Sequence, residues 1–199
     1  LFFGWFGFNA GSQLAADGIA ANALLVTNVA ACAGGLGWLL IEWMQSKTPG
    51  LLGMSSGVVS GLVGITPAAG FVDVSGALAI GFISGLVGYY GVVKLKEIFK
   101  YDDSLDAFGI HGLVGIWGSV ATGIFANPAV NGAAGLLYGN PKQVLVQLLA
   151  VVVTIAYSGI ATAVVFKLTA LITRSARVPE KIEEEGMDKA FHAESGFHF

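Results

Sequence analysis

The sequence predicts an all-α membrane protein, a polytopic helical bundle, and three observations predict it. Hydrophobic residues make up 55% of the 199 residues and charged residues only 12%, about half the charged share of soluble domains. The apolar residues fall into long segments, near the roughly 20 residues that a helix needs to cross a hydrocarbon core about 30 Å thick. Glycine occurs 29 times, about twice its average use. Its spacings Gly53-xxx-Gly57-xxx-Gly61 and Gly81-xxx-Gly85 let helix backbones approach closely in lipid. The mean hydropathy of +0.75 agrees. A collagen-like chain is excluded, because there is no Gly-X-Y period and Pro occurs only 5 times. The single cysteine, Cys32, excludes a disulfide framework, and its apolar setting reads as a buried, inert thiol. The net charge of −3 is small and says little about partners.

Spanning segments are expected at residues 1–16, 20–44, 51–72, 74–93, 104–126 and 143–174, followed by a tail at 175–199. Breakers separate them: Asp17-Gly18, Ser46 to Gly50, Thr66-Pro67 with Gly70 to Asp73, the charged stretch Lys94 to Asp103, and the polar loop from Asn127 to Pro141. The first segment is apolar from Leu1, without the basic flank of a signal peptide. Leu1 is therefore expected to lie within or at the start of a helix of a longer membrane protein. Lys47, then Lys94, Lys96 and Lys100, then Arg174 and Arg177 fall on one side of alternating loops, against Lys142 on the other. By the positive-inside rule that side is cytoplasmic, which puts the tail in the cytoplasm and residues 127–141 outside. The acidic run Glu180, Glu183, Glu184 and Glu185 suits a solvated tail segment.

His111 stands out within residues 108–125, which carry no formal charge. A titratable group in a membrane span is expensive, and it marks a pathway for an ion, a proton or a polar solute. Asp103 or Ser104 suits the N-cap of its helix, and Asp106 suits the first turn, where the helix dipole favours a negative charge. Eight residues from Asp103 to His111 give about 12 Å of rise, which puts the imidazole near the membrane midplane. Positions 111, 115, 118 and 122 share a helix face and read His, Gly, Gly, Thr. That face either lines a pore or packs closely on another helix with His111 bonded to a neighbour. A metal or haem ligand is a weaker alternative, since no second His lies in a span and the others, His192 and His198, are in the tail. No HExxH, CxxC, Walker or Rossmann pattern stands in a suitable context. Ser55, Ser56, Ser60 and Ser84 suit bonds to helix carbonyls rather than nucleophilic roles. An enzyme is not expected, nor is a cofactor, a metal or a nucleic-acid partner.

The first segment holds Phe3, Trp5, Phe6 and Phe8, followed by Asn9 and Ser12. Phe8 and Ser12 are four apart and share a face with Trp5 one turn earlier. An aromatic face with a hydroxyl attracts a cation through the ring quadrupole and offers it one hydrogen bond. The same residues also suit an interfacial aromatic belt or plain packing.

Three stretches resemble the ammonium transporter family (Amt/Mep/Rh): Gly4 to Ser12, Asp102 to Gly112, and the tail Gly186-Met187-Asp188 with His192. The first two matches are long and specific, the tail match is looser, and the resemblance covers essentially the whole chain. It implies the second half, helices six to eleven, of an eleven-helix inverted-repeat fold that assembles as a homotrimer with one narrow pore per subunit. It implies that His111 is one of a pair of pore histidines and relays a proton. Phe8 becomes a gate at the external pore entrance. Ser12, with Trp5, becomes part of an external ammonium-recruitment site. Asp103 and Asp106 fall at a cytoplasmic vestibule or helix cap. Gly186, Asp188 and His192 fall in a regulatory tail that a PII-type signalling protein binds. Ala190 stands where some relatives carry a phosphorylatable Thr, and Ala193 where many have Gly.

The function implied is ammonium/ammonia transport by a multi-pass protein of the cell membrane with a cytoplasmic C-terminus. The partner histidine and the rest of the recruitment site are expected upstream of Leu1. The alternative is an ammonium sensor or transceptor that signals through the tail. A channel for another small neutral solute is a third possibility, with His111 as its filter.

Overall fold

The computed structural model describes residues 1–195, and no strand occurs among them. In chain order the elements are α1 (Phe2–Gly11), α2 (Gly18–Ser46), α3 (Leu51–Ile65) and α4 (Val74–Tyr89). A π-helical turn (Tyr90–Leu95) continues α4 into α5 (Lys96–Phe99), and a second (Phe108–Leu113) leads into α6 (Val114–Phe125). Then come α7 (Pro128–Asn131), a 3-10 turn (Leu136–Tyr138), α8 (Lys142–Thr173), α9 (Glu180–Glu185) and a last π-helical turn (Asp188–His192). The chain divides into two compact units, Leu1–Val151 and Val152–Phe199.

Four of these stretches are long and apolar enough to cross a membrane: Gly18–Ser46, Val74–Phe99, Phe108–Phe125 and Lys142–Thr173. The segments expected at 1–16 and 51–72 are helical for less of their length. α1 ends at Gly11, and Leu14 takes a left-handed φ of 59° before Asp17 caps α2 through the amides of Ile19 and Ala20. α3 stops at Ile65 because Pro67 has no N–H to continue the ladder. The turn that follows still buries Ala68, Ala69 and Val72. Irregular apolar backbone is tolerated where protein covers it, as it does here. Hydropathy sees the burial of residues 66–72 but not their change of backbone.

The centre of the Leu1–Val151 unit rests on two small residues of α2. A Cβ on Gly61 of α3, or on Gly81 of α4, would collide with the carbonyl of buried Ala30. One turn on, a Cβ on Gly57 would stand 2.7 Å from the Gly34 oxygen, and one on Gly85 would collide with it. Both glycine repeats thus lie against one ridge of α2. In lipid such packing is held by dispersion, about 0.1–0.2 kcal/mol per atom pair and summed over many pairs. Val26, Ile65, Val72, Ala77, Ile80 and Ala121 complete this cluster. The buried hydroxyls bond within their own helices: Thr27 to Ala23 O at 2.6 Å, Ser84 to Ile80 O at 2.7 Å and Thr122 to Gly118 O at 2.9 Å.

Cys32 is exposed, contrary to its apolar setting. It lies on the α2 side that also exposes Leu25 and Leu36, away from Ala30 and Gly34. α2 is apolar almost all round, so hydropathy cannot tell its lipid or partner side from its core side. The small-residue ridge makes that choice.

Candidate functional site

α1 places its aromatic residues in a row that leads to His111. The Trp5 and Phe8 rings meet edge to face with centroids 5.9 Å apart. On its other side Trp5 stacks on the His111 imidazole, at 6.5 Å and an interplanar angle of 13°. The Trp5 indole is fixed by a 2.8 Å hydrogen bond from its Nε1 to Thr66 Oγ1, and that hydroxyl in turn donates to Leu62 O at 2.7 Å. Neither ring nitrogen of His111 bonds to a described residue, and the imidazole is exposed. Among the described residues, therefore, no neighbour is tied to the His111 ring by a hydrogen bond. Phe8 is 56% exposed, so the row ends on an open aromatic edge.

Phe8 and Ser12 share a cavity of about 240 Å³ with Asn9, Thr66, Phe71 and Asn131. Ser12 Oγ donates to Phe8 O at 2.6 Å, which leaves the hydroxyl oxygen free to accept a hydrogen bond. Asn9 is buried and donates to Thr27 Oγ1 at 3.0 Å, which anchors α1 on α2. Trp5, expected beside Ser12, is not on the wall of this cavity. The two residues share a face of α1, but seven residues separate them by about 10 Å of rise. Trp5 belongs with His111, one step further in.

The rim of this end is fastened by Asp73. Its Oδ1 accepts from Ser75 Oγ at 2.6 Å and from the Gly76 amide at 3.0 Å, which caps α4. Its Oδ2 accepts from Asn127 Nδ2 at 2.8 Å and from the Tyr138 hydroxyl at 3.5 Å. The Ser75 hydroxyl, then the Gly76 amide and Asn127, hold this carboxyl down at about 2. Residues 127–141 are thereby tied beside the turn between α3 and α4, and the Asn127 amide adds a 2.8 Å bond to Phe71 O. Asp17 is likewise held below its ordinary value, by the Ala20 amide and by Gln13.

At the opposite end, Asp103 accepts from the amides of Ala107 at 2.9 Å and Phe108 at 2.8 Å. Asp106 does not sit in a first helical turn. It takes a left-handed φ of 56° and pairs with Lys96 at 2.7 Å. The helix starts only at Phe108, as a π-turn that contains His111. His111 is thus about one turn from the start of its helix, rather than eight residues in. The expected His-Gly-Gly-Thr face divides. Gly118 packs against the Gly64 carbonyl of α3 and Thr122 is buried, while a Cβ on Gly115 would meet nothing within 4 Å. Close packing takes the inner half of that face.

Sequence reasoning missed Thr66 and Lys96. In the sequence Thr66 is the residue before a breaking proline and Lys96 a loop charge; the place of Lys96 in α5 carries it back to Asp106. In the Val152–Phe199 unit, Arg177 makes a two-pronged pair with Glu183 at 2.7 and 2.9 Å, which lowers the Glu183 pKa. Gly186, at a φ of 90°, ends α9, and Asp188 and His192 bound the last π-turn, which closes on Ala193 at a φ of 53°. His198 lies outside the described residues.

Comparison with known proteins gives a consistent picture. The profile of the Ammonium Transporter Family matches residues 1–197. An ammonium transporter of Aquifex aeolicus is 50% identical over 198 residues, covering 100% of this chain and 46% of its own length. One of Bacillus subtilis is 47% identical over 199 residues, covering 99% of this chain and 49% of its own. The chain spans about half the length of the curated relatives it matches. The crystal structure of Saccharomyces cerevisiae Mep2 superimposes with a TM-score of 0.85 at 36% identity, over 91% of this chain and 42% of that one. A sensor Amt protein superimposes with a TM-score of 0.86 at 29% identity, over 96% and 46%. With apolar helices of membrane-crossing length, a matching fold and a match over nearly every residue, the chain belongs to the ammonium transporter family.

Proposed function

We propose that this chain forms the second half of an ammonium/ammonia transporter of the cell membrane. The observation that carries the reading is the continuous row Phe8, Trp5, His111, which starts at the cavity holding Ser12. Ring faces and a hydroxyl acceptor suit a small cation that can donate hydrogen bonds. Moving ammonium into hydrocarbon is costly and moving neutral ammonia is not. Desolvation beside Phe8 lowers the pKa of the ion and favours loss of its proton. His111, whose two nitrogens bond to none of the described residues, takes the proton or receives ammonia. Its exposed ring is consistent with a partner imidazole supplied by the other half.

The remaining roles follow the family. Assembly is as a multi-pass homotrimer. The tail, with Gly186, Asp188 and His192, is cytoplasmic and takes a PII-type signalling protein. Uptake of methylammonium by the full-length protein tests the reading. His111→Ala is expected to lower uptake at least tenfold (about 1.4 kcal/mol), and unchanged uptake refutes the relay. Residues 1–199 reconstituted alone are expected to carry no saturable ammonium current, and such a current would refute the half-site. The likeness to the sensor Amt protein favours one second reading, a sensor or transceptor that signals through the tail. Ammonium binding without uptake in the parent protein would select it.

A further inference from the structure

Two π-helical turns lie side by side in this fold, and a lysine closes them. The turn Tyr90–Leu95 ends α4, and the turn Phe108–Leu113 carries His111. They meet backbone to backbone: a Cβ on Gly109 would stand 2.9 Å from the Gly91 carbonyl carbon and 2.9 Å from the Val92 nitrogen. Single π-turns are uncommon and cluster at functional sites, because the wider turn re-aims the side chains it carries.

The link between the two turns is short and tethered at both ends. Lys96 Nζ donates to the Asp103 carbonyl at 2.6 Å and to Asp106 Oδ1 at 2.7 Å. Asp103 spends both carboxylate oxygens on the Ala107 and Phe108 amides, the first of the His111 helix. The Lys96 and Asp106 side chains are each about one-third exposed, so the pair is somewhat less screened than a fully exposed one. Lys96 therefore holds Asp106, two residues before the helix, and also the backbone of Asp103, whose carboxylate takes its first amides.

We propose that Lys96 is a positioning residue for His111: through Asp103 and Asp106 it sets where the π-turn starts, and so where the imidazole points against Trp5. This rests on the reading of His111 as a pore residue. Misplacement of a reacting group by about 1 Å costs up to about 100-fold in rate, so a loosened clamp acts on turnover more than on substrate capture at the far end.

The test uses the full-length protein with Lys96→Met, Lys96→Arg and Asp106→Asn, read by ¹⁵N imidazole resonances of His111 and by methylammonium uptake. Lys96→Met is expected to shift the His111 resonances and lower kcat about tenfold, with KM within about twofold. Lys96→Arg, which keeps donors for both acceptors, restores both. Asp106→Asn keeps an acceptor and tolerates the left-handed φ, so it gives a smaller shift in the same direction, and it decides the matter if Lys96→Met does not accumulate. Unmoved His111 resonances in these variants, or a change that Lys96→Arg does not repair, overturns the proposal. If His111→Ala transports like the parent, the transport reading falls, while the resonances still report whether Lys96 orients the ring.

Discussion

Asp73→Ala removes one carboxylate that ties the α4 N-terminus to residues 127–141. The cap on the Gly76 amide is worth about 1 kcal/mol. The Asn127 bond is charge-assisted, but Asp73 is partly exposed, and after solvent screening it adds about 1 kcal/mol. A loss of about 2 kcal/mol is therefore expected at neutral pH. Acid dependence gives an independent check. The carboxyl moves from 3.8 to about 2 on folding, which at 1.36 kcal/mol per pH unit is about 2.4 kcal/mol before screening and about 1–2 kcal/mol after it. The folded pKa is the lower one, so this stability is present above pH 3.8 and is lost as the pH falls through about 2. Reversible unfolding in mixed micelles, followed by far-UV circular dichroism at pH 7 and between pH 4 and 2, measures both effects. The parent should lose about 1–2 kcal/mol more across the acid window than Asp73→Ala, which keeps the contributions of Asp17 and Glu183. A cycle with Asn127→Ala should return about 1 kcal/mol of coupling. A variant within about 0.5 kcal/mol of the parent at pH 7, or with the same acid loss, would refute the reasoning.

Other consequences are open to similar measurement. Gly81→Ala drives a methyl into the Ala30 carbonyl and should destabilise by about 1–3 kcal/mol. Gly115→Ala meets open space and should be neutral or gain about 0.5–1 kcal/mol; equal effects in unfolding assays would contradict the packing. Trp5→Phe keeps a ring on His111 but loses the bond to Thr66, for about 0.5–1.5 kcal/mol. Thr66→Val loses this bond and the one to Leu62 O, so it should cost at least as much, and the double variant little more than Thr66→Val. Ala193→Gly relieves a left-handed alanine and should favour the last π-turn by about 1 kcal/mol, seen as slower exchange of the Ala193 and Glu194 amides, which both bond to Asp188 O.

Much of the architecture is local and can be read along the chain. Long apolar runs become α2, α4, α6 and α8, because a chain in hydrocarbon must bond its own amides. Both glycine repeats mark where helices cross. The motif around Phe8 and His111 is long enough to indicate the family, and the profile match agrees. The end of α3 at Ile65 and the exposure of Cys32 could not be read this way. Hydropathy gives the same value to an apolar turn as to an apolar helix, and to a lipid-facing side as to a core-facing one.

The site divides along the same line. Local spacing put Phe8 and Ser12 on one face, and both line one cavity. Seven residues also leave Trp5 on that face, so local geometry did not separate it from Ser12. The Thr66 hydroxyl, 61 residues away, draws the indole onto His111 instead. Asp106 suited a helix by composition, but Lys96 holds it outside the helix in a left-handed turn. Residue chemistry and short periods were therefore available from the order of amino acids alone. The pairings that orient the site join separate segments, and only the packing of α1, α3 and the two π-turns, set by glycine contacts and two half-buried polar tethers, brings them within bonding distance.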